Sequence, residues 1–153
     1  MAKKWSEDTA LVSSVAGNLM EALPLFPKRL VHVDALVREH KMPYSHIQIL
    51  VLLASGELSI GEISDRLGIA KPNITPLVDS LRDEELVERV RDERDRRIVN
   101  VRLMPKGEER LEAIRMSILE QVGAWKGSFS RSEIKELNTA LASLFRIIGH
   151  IEV

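Results

Sequence analysis

The chain is 153 residues long, near the commonest domain size, and its 44% hydrophobic and 29% charged residues exclude a disordered protein. The absence of cysteine excludes disulfides and thiolate metal sites, and no segment has the pattern of a signal peptide or a membrane span, so we expect a cytoplasmic protein without a membrane partner. The formal net charge of -1 excludes a uniformly basic surface, so nucleic-acid binding would need the basic residues to be concentrated on one face.

The first predicted element is an amphipathic helix that begins near Asp8. Its apolar positions recur every four residues, at Leu11, Val15, Leu19 and Leu23. Pro24 and Pro27 then interrupt the helix, because proline lacks the amide that helical hydrogen bonding needs. The apolar stripe resumes at Leu30 and continues to Val37.

A serine followed three residues later by glutamine or glutamate can satisfy the free amides at a helix start. This pattern occurs at Ser45–Gln48, Ser59–Glu62 and Ser130–Glu133. The first instance precedes an apolar run that is typical of a buried helix. The second, with Gly68 in the position of a left-handed helix terminator, predicts a short helix from Ile60 to Leu67.

A second helix follows a tight turn, and the pattern then changes to that of strands. Pro72 is favoured at a helix start, and the inward-facing stripe predicts a helix that ends near Glu85. The segments Leu86–Arg91 and Ile98–Leu103 are rich in β-branched residues and predict two strands. The charged segment Asp92–Arg97 between them is the predicted hairpin tip.

Two long amphipathic helices close the chain, one starting at Pro105 and one with an apolar seam from Ile134 to Ile148. The predicted fold class is therefore mostly α with a small β-hairpin wing, in a single domain. The expected lobes are dimerisation helices at 1–40 and 106–153 and a winged helix-turn-helix lobe at 41–105. An isolated subunit would expose its terminal apolar stripes to water.

The order of a helix pair followed by a basic hairpin is that of a winged helix-turn-helix, whose second helix enters the major groove of double-stranded DNA. The start of that helix would place Lys71, Asn73 and Thr75 against base edges. The wing would bring arginines to the minor groove, namely Arg91, Arg94, Arg96 and Arg97. Carboxylates would orient these arginines as ion pairs, namely Asp92, Glu93 and Asp95. Each charged segment alone is equally typical of solvated surface, and only their combination indicates DNA binding.

The sequence resembles the MarR family. The matching motifs are Leu67–Ile69, Ile74–Leu81, Leu86–Arg89, Asp92–Arg97 and Leu103–Gly107. The resemblance implies a homodimer that interlocks its terminal helices, reads a pseudo-palindromic operator and releases DNA when a small anionic or aromatic compound binds. We expect a repressor, although the residues themselves leave repressor and activator open.

Carried over residue by residue, the resemblance places four residues of the recognition helix toward DNA, namely Lys71, Pro72, Asn73 and Thr75. In the wing it places Asp95 and Arg97 in charge-paired positions, with Arg94 and Arg96 flanking the tip.

Two positions depart from the family pattern. Met104 stands where a threonine often caps the next helix, which we expect to cost about 1 kcal/mol of capping. Pro76 stands inside the recognition helix, where a polar or basic residue is common. If Pro72 is the first helical residue, the missing amide of Pro76 would have bonded the carbonyl of Pro72, so the loss falls at the helix edge.

Other classes of function leave weaker signals. We find no metal-binding His-x-x-x-His pair, phosphate-cradling glycine loop or nucleophile elbow, so we expect no enzyme, no metal site and no cofactor. The candidates for an effector pocket are His40, Tyr44 and Arg115. Trp125 and Met116 could also line it, but such residues at helical spacing are more often core. The remaining alternative is a winged helix used for protein contacts without specific DNA binding.

Overall fold

The computed structural model describes residues 9–92, 95, 97–125 and 127–149. Within these ranges the elements in chain order are α1 Thr9–Ala22, α2 Val33–His40, α3 Tyr44–Leu53, β1 Leu58–Ser59, α4 Ile60–Leu67, α5 Lys71–Asp83, β2 Val87–Arg91, β3 Val99–Leu103, α6 Pro105–Gly123 and α7 Arg131–Ile148. The prolines after α1 end that helix, and a π-helical turn at Phe26–Leu30 leads to α2. The predicted fold class, mostly α with a small hairpin wing, is confirmed.

The helix pair α4 and α5 has the boundaries that its local sequence specifies. Ser59 Oγ accepts a hydrogen bond from the Glu62 amide at 3.2 Å, and the Ser59 amide donates to Glu62 Oε2 at 2.7 Å. These bonds hold the pKa of Glu62 below its ordinary value. Gly68 ends α4 with a φ of 63°, a left-handed conformation that glycine adopts without steric cost. The predicted capping box, helix and terminator are confirmed.

The sheet is a three-stranded antiparallel one in the order β1-β3-β2. In the wing hairpin Arg89 pairs with Val101, and on its other side Val101 pairs with Leu58 of β1. The two hairpin strands were predicted, whereas β1 was not. A strand of two residues is too short to show an alternating pattern of apolar and polar residues. β1 forms because its backbone pairs with that of β3.

The hydrophobic core lies where the helix pair, the sheet, α3 and α6 meet. Fully buried side chains from each of these elements form it, among them Leu50, Ile63, Ile74, Val101 and Ile114. Leu36 of α2 also joins this core, so the helices before and after the central lobe share packing with it. By contrast, α1 and α7 have no buried residue in the single chain.

Gly107 lets α6 approach the backbone that precedes β2. A Cβ atom at this position would collide with the carbonyl oxygen of Leu86, to which the Met104 amide also donates at 3.0 Å. The Met104 side chain makes no capping hydrogen bond, as expected for this substitution. Close backbone packing therefore fixes the start of α6 without a side-chain cap.

One local prediction was wrong, and two helix boundaries differ by one or two residues. Ser45 does not cap α3, because the helix already begins at Tyr44 with Pro43 at the capping position and no side-chain bond there. The recognition helix α5 ends at Asp83 rather than Glu85, since Glu85 turns into the left-handed region with a φ of 61°. Its first residue is Lys71, which places Pro72 second.

None of the helices in the described ranges is long and apolar enough to cross a membrane.

Candidate nucleic-acid interface

The start of α5 is open to solvent on one side and packs on the hydrophobic core on the other. Lys71, Pro72 and Asn73 are exposed, whereas Ile74 is completely buried and begins the inward stripe of the helix. Thr75 is half-buried, and its hydroxyl donates to the Lys71 carbonyl at 3.3 Å. The amides of the first turn and two polar side chains therefore lie at one accessible helix terminus, a position that favours phosphate and base edges.

The side chain of Lys71 lies across the first turn of α4. A Cβ atom added to Gly61 would stand 3.3 Å from Lys71 Nζ, which fixes the close passage of the lysine over this glycine. The ammonium group is thus held between the starts of α4 and α5. Both helix termini carry partial positive charge, so this junction favours an anion.

Pro76 stays within the helix, which continues to Asp83. Its side chain is exposed, and the carbonyl that its missing amide would have bonded belongs to Pro72, in the first turn. The loss therefore falls near the helix edge, as expected.

The described part of the wing tip is ordered by Asp95. Its Oδ1 accepts from the Arg97 amide at 3.0 Å and from Arg97 Nε at 3.1 Å, and its Oδ2 accepts from Nη2 at 3.3 Å. Hydrogen bonding by Arg97 holds the pKa of Asp95 below its ordinary value. The Arg97 side chain is 91% exposed, so the pair presents its guanidinium to solvent. Arg94 and Arg96 lie outside the described residues.

Asp92 braces the base of the tip. Its Oδ1 accepts from the Asp95 amide at 2.9 Å, and its Oδ2 accepts from the side-chain amide of Asn100 at 3.4 Å. Asp92 also closes the hairpin through its own amide, which donates to the Ile98 carbonyl at 3.0 Å. The aspartates of the segment therefore shape the turn as well as pairing with arginine.

An ion-pair cluster joins the recognition helix to the wing. Asp79 of α5 contacts Arg89 of β2 at 2.9 Å and Arg82 of its own helix at 3.1 Å. The sequence analysis missed this cluster, because Asp79 and Arg89 are ten positions apart and belong to different elements. This ion pair is one contact between α5 and the wing, in addition to the buried core that the two elements share.

The three effector candidates do not converge. His40 is buried, and its Nε2 lies 2.9 Å from Ser117 Oγ. Arg115 is exposed on α6 and forms two 2.7 Å hydrogen bonds to Glu112, which raise the pKa of Arg115. Tyr44 lines a large apolar cavity of about 700 Å³ together with Trp125, and Arg115 lines a different cavity.

The cavity lined by Tyr44 lies between the Phe26–Leu30 turn, the start of α3, the second half of α6 and α7, and we call it the Tyr44 cavity. Its described lining is almost entirely apolar, and the lining side chains that carry a polar group are Tyr44, Trp125 and Asn138. Trp125 also packs edge-to-face on Phe129, with ring centroids 5.9 Å apart. Among the described residues no cluster of histidine and carboxylate side chains is arranged to hold a metal ion.

The helix pair, the exposed start of α5 and the adjoining hairpin define a winged helix-turn-helix protein. A family model described as the MarR family matches residues 40–98. An HTH-type transcriptional regulator of Bacillus subtilis, YsmB, is 29% identical over 126 residues, which cover 76% of this chain and 86% of that relative.

Solved structures agree with this match. A MarR family protein from Bacillus stearothermophilus is 27% identical with a TM-score of 0.72, covering 90% of this chain and 97% of that one. The structure of NadR in complex with 4-hydroxyphenylacetate has the same fold at 23% identity, with a TM-score of 0.67 over 85% of this chain and 91% of its own. These matches show that the chain is similar to MarR family winged-helix proteins and to HTH-type transcriptional regulators, with residues 40–98 matching the family model. The family and these relatives are regulators of transcription rather than enzymes.

Proposed function

We propose that the protein is a homodimeric transcriptional repressor that binds a pseudo-palindromic operator and is released by a small aromatic compound. The observation that carries this proposal is the exposed start of α5, tied to the wing through Asp79 and Arg89. The residues proposed to contact DNA are Lys71, Pro72, Asn73, Thr75, Arg94, Arg96 and Arg97, with Asp95 holding Arg97.

The proposed dimer is supported by the exposure of the terminal helices. Large apolar side chains along α1 and α7 are open to solvent in the single chain, among them Leu19 at 60%, Met20 at 74% and Phe145 at 70%. Burying such stripes is the main driving force for association. We therefore assign residues 1–40 and 106–153 to dimerisation and residues 41–105 to DNA binding. Two-fold symmetry would place two recognition helices about 34 Å apart, one turn of DNA.

The test of DNA binding is a fluorescence-anisotropy titration at several salt concentrations. The probes are an inverted repeat selected from genomic fragments, its isolated half-site and a scrambled duplex of equal length. The proposal expects tight, salt-dependent binding to the inverted repeat and weak binding to the other two. Equal affinity for all three duplexes would contradict sequence-specific recognition, and no binding at low salt would favour a protein-contact module.

Repression is tested separately with a reporter gene. The selected inverted repeat is placed across a promoter, and reporter output is compared with and without the protein. Lower output with the protein is expected, whereas higher output would make it an activator. A promoter that carries a scrambled repeat is the matched control.

The effector is proposed to bind in the Tyr44 cavity. Its volume of about 700 Å³ is in the range of small-molecule sites, and its aromatic lining suits a ring. The NadR complex shows that one protein of this fold holds a phenolic acid. Because the described lining carries no charged side chain, we expect the ring rather than a carboxylate to supply most of the affinity.

The effector test adds 4-hydroxyphenylacetate or its neutral analogue 4-hydroxyphenylethanol to the protein–DNA complex. Both compounds carry the same phenol, and they differ in the charge of the side arm. Release by the neutral compound at equal or lower concentration is expected. Release by the anion alone would mean that the effector binds outside the Tyr44 cavity. The variant Leu137→Trp, which fills the cavity, should abolish release by either compound.

A further inference from the structure

A second cavity of about 610 Å³ lies on the far side of α6 from His40 and between other elements than the Tyr44 cavity. Its walls are the last turn of α3 with the following loop, the end of β3 and the first half of α6, and we call it the α3–α6 cavity. The two cavities share only Ile118 among the described lining residues. The proposed function makes no use of this second cavity.

The floor of the α3–α6 cavity is apolar and its rim is charged. Buried or half-buried aliphatic side chains form the floor, chiefly Leu53, Leu103, Leu111 and Ile114. The rim carries three carboxylates and two guanidinium groups, namely Glu57, Glu108, Glu112, Arg102 and Arg115. The five rim groups therefore carry a net charge of -1, and the interior of the cavity is apolar.

Both rim arginines are already neutralised by carboxylates. Arg102 contacts Glu88 at 2.7 Å and Glu57 at 3.5 Å, and these partners raise the pKa of Arg102. Arg115 is held by both oxygens of Glu112 at 2.7 Å. Their positive charges are already compensated by these carboxylates, so an anionic ligand would gain less at either guanidinium group than a cation gains at an unpaired carboxylate.

Glu108 is the exception on this rim. Its side chain is exposed, and its carboxylate has no hydrogen-bond or ion-pair partner among the described residues. A cationic group on a ligand could contact Glu108 without breaking any existing pair, while an apolar body covers the floor. Charge complementarity and the volume of the cavity thus favour one chemical class of ligand.

We propose that the α3–α6 cavity binds an organic cation with an apolar body. Such a ligand would contact both β3, a strand of the wing, and α6, one of the helices assigned to dimerisation. Its binding would therefore change DNA affinity, a consequence that rests on the proposed function. The binding itself is measured without DNA, so a failure of one proposal is distinguishable from a failure of the other.

The test is isothermal titration calorimetry of the full chain with tetraphenylphosphonium and, separately, with tetraphenylborate. These two ions have nearly the same shape and opposite charge. The proposal expects saturable binding of the cation and weaker or no binding of the anion. Equal affinity for the two ions would overturn it, because the rim charge would then have no part in selection.

Two variants locate the site. Glu108→Gln should weaken cation binding about two- to fivefold, the contribution of an exposed ion pair, whereas Glu109→Gln, a neighbouring exposed carboxylate outside the cavity, should leave it unchanged. Ala54→Phe places a ring in the mouth of the cavity and should abolish binding. Equal losses in the two glutamine variants, or normal binding by Ala54→Phe, would overturn the proposal.

Light scattering of the Ala54→Phe variant completes the test. The variant should keep the oligomeric state of the unmodified chain, because the proposal assigns the cavity to a small molecule. If the substitution dissociates an oligomer, the cavity is covered by a second copy of the chain and the proposal is overturned.

Discussion

At Gly107, helix α6 passes so close to the carbonyl of Leu86 that a methyl group has no room. We expect Gly107→Ala to lower the free energy of unfolding by about 1–3 kcal/mol, because backbone atoms must shift to relieve the collision. This cost exceeds the 0.5–1 kcal/mol that alanine ordinarily gains over glycine in a helix. Urea unfolding monitored by circular dichroism measures the difference.

The matched control is Gly123→Ala at the other end of α6. Nothing lies within 4 Å of the Cβ that this substitution adds, so it should be neutral or slightly stabilising. Equal effects of the two substitutions would show that the close approach at Leu86 costs nothing.

His46 is buried within α3, and its Nδ1 has no hydrogen-bond partner among the described residues. Burial lowers the pKa of His46, and the nearby charge of Glu84 offsets this only in part. The unfolded chain, with an ordinary histidine pKa near 6.5, therefore binds a proton at a higher pH than the folded chain does. Stability should fall as the pH is lowered through about 6.5 and level off below the lowered folded-state pKa.

The measurement compares the unmodified chain with His46→Gln in urea unfolding between pH 8 and pH 5.5. The difference in stability between the two should shrink as the pH falls, because only the histidine form is penalised. A constant difference would mean that His46 titrates alike in both states.

Arg97 is proposed to contact the DNA backbone from the wing. Arg97→Ala should weaken binding to every duplex and reduce the slope of log K against log salt by about one, because one phosphate contact is lost. Asn73→Ala should instead weaken only the selected operator, since an amide that reads adenine discriminates by roughly 1–3 kcal/mol. Anisotropy titrations over a salt series separate the two outcomes, and an unchanged slope for Arg97→Ala would remove that contact.

At the scale of residues, the sequence predicted the features that depend only on positions close together along the chain. The caps at Ser59 and Ser130 formed because serine and glutamate need only each other and the backbone between them. The same spacing failed at Ser45, because the capping position is Pro43, two residues earlier. The link from Asp79 to Arg89 could not be predicted, because it requires α5 and β2 to be packed together first.

At the scale of elements, the recognition helix and the wing are coupled through Asp79. The variants Asp79→Asn and Arg89→Gln and their combination form a double-mutant cycle. We expect a coupling of about 0.2–1 kcal/mol in unfolding, since both side chains are about one-third exposed. The two single variants should each weaken operator binding, and the double variant should add little to either.

Arg82→Gln is the control for this cycle, since Arg82 contacts Asp79 from the same helix and does not reach the wing. It should leave operator affinity near that of the unmodified chain. If it weakens binding as much as Arg89→Gln does, the Asp79–Arg89 contact is not the cause of the weaker operator binding.

Element boundaries show the same division between local and tertiary causes. Strands β2 and β3 were predicted from alternating β-branched residues, and their charged connection marked the tip. Strand β1 is visible only once β3 is in place. The effector candidates His40, Tyr44 and Arg115 were chosen by residue type, and the fold directs them to three different surroundings.

At the scale of the whole molecule, the proposed dimer depends on the apolar faces of α1 and α7. Phe145 is 70% exposed in the single chain, so Phe145→Glu would place a charge in the proposed interface. We expect this variant to be monomeric at micromolar concentrations at which the unmodified chain is a dimer. Light scattering after size exclusion measures the mass.

Thr139→Glu is the control, because it introduces the same change of charge at an exposed polar position of α7. It should leave the mass unchanged. A dimeric Phe145→Glu variant would place the interface elsewhere and would also remove the assignment of residues 106–153 to dimerisation.

The absence of buried residues in α1 and α7 of the single chain has a consequence for gene control. If these helices complete their packing only on a partner, dimer concentration rises with the square of subunit concentration when subunits are mostly dissociated. Operator occupancy would then respond to the expression level of the regulator more steeply than first order. Small changes in its synthesis or degradation would switch the controlled gene over a narrow range of abundance.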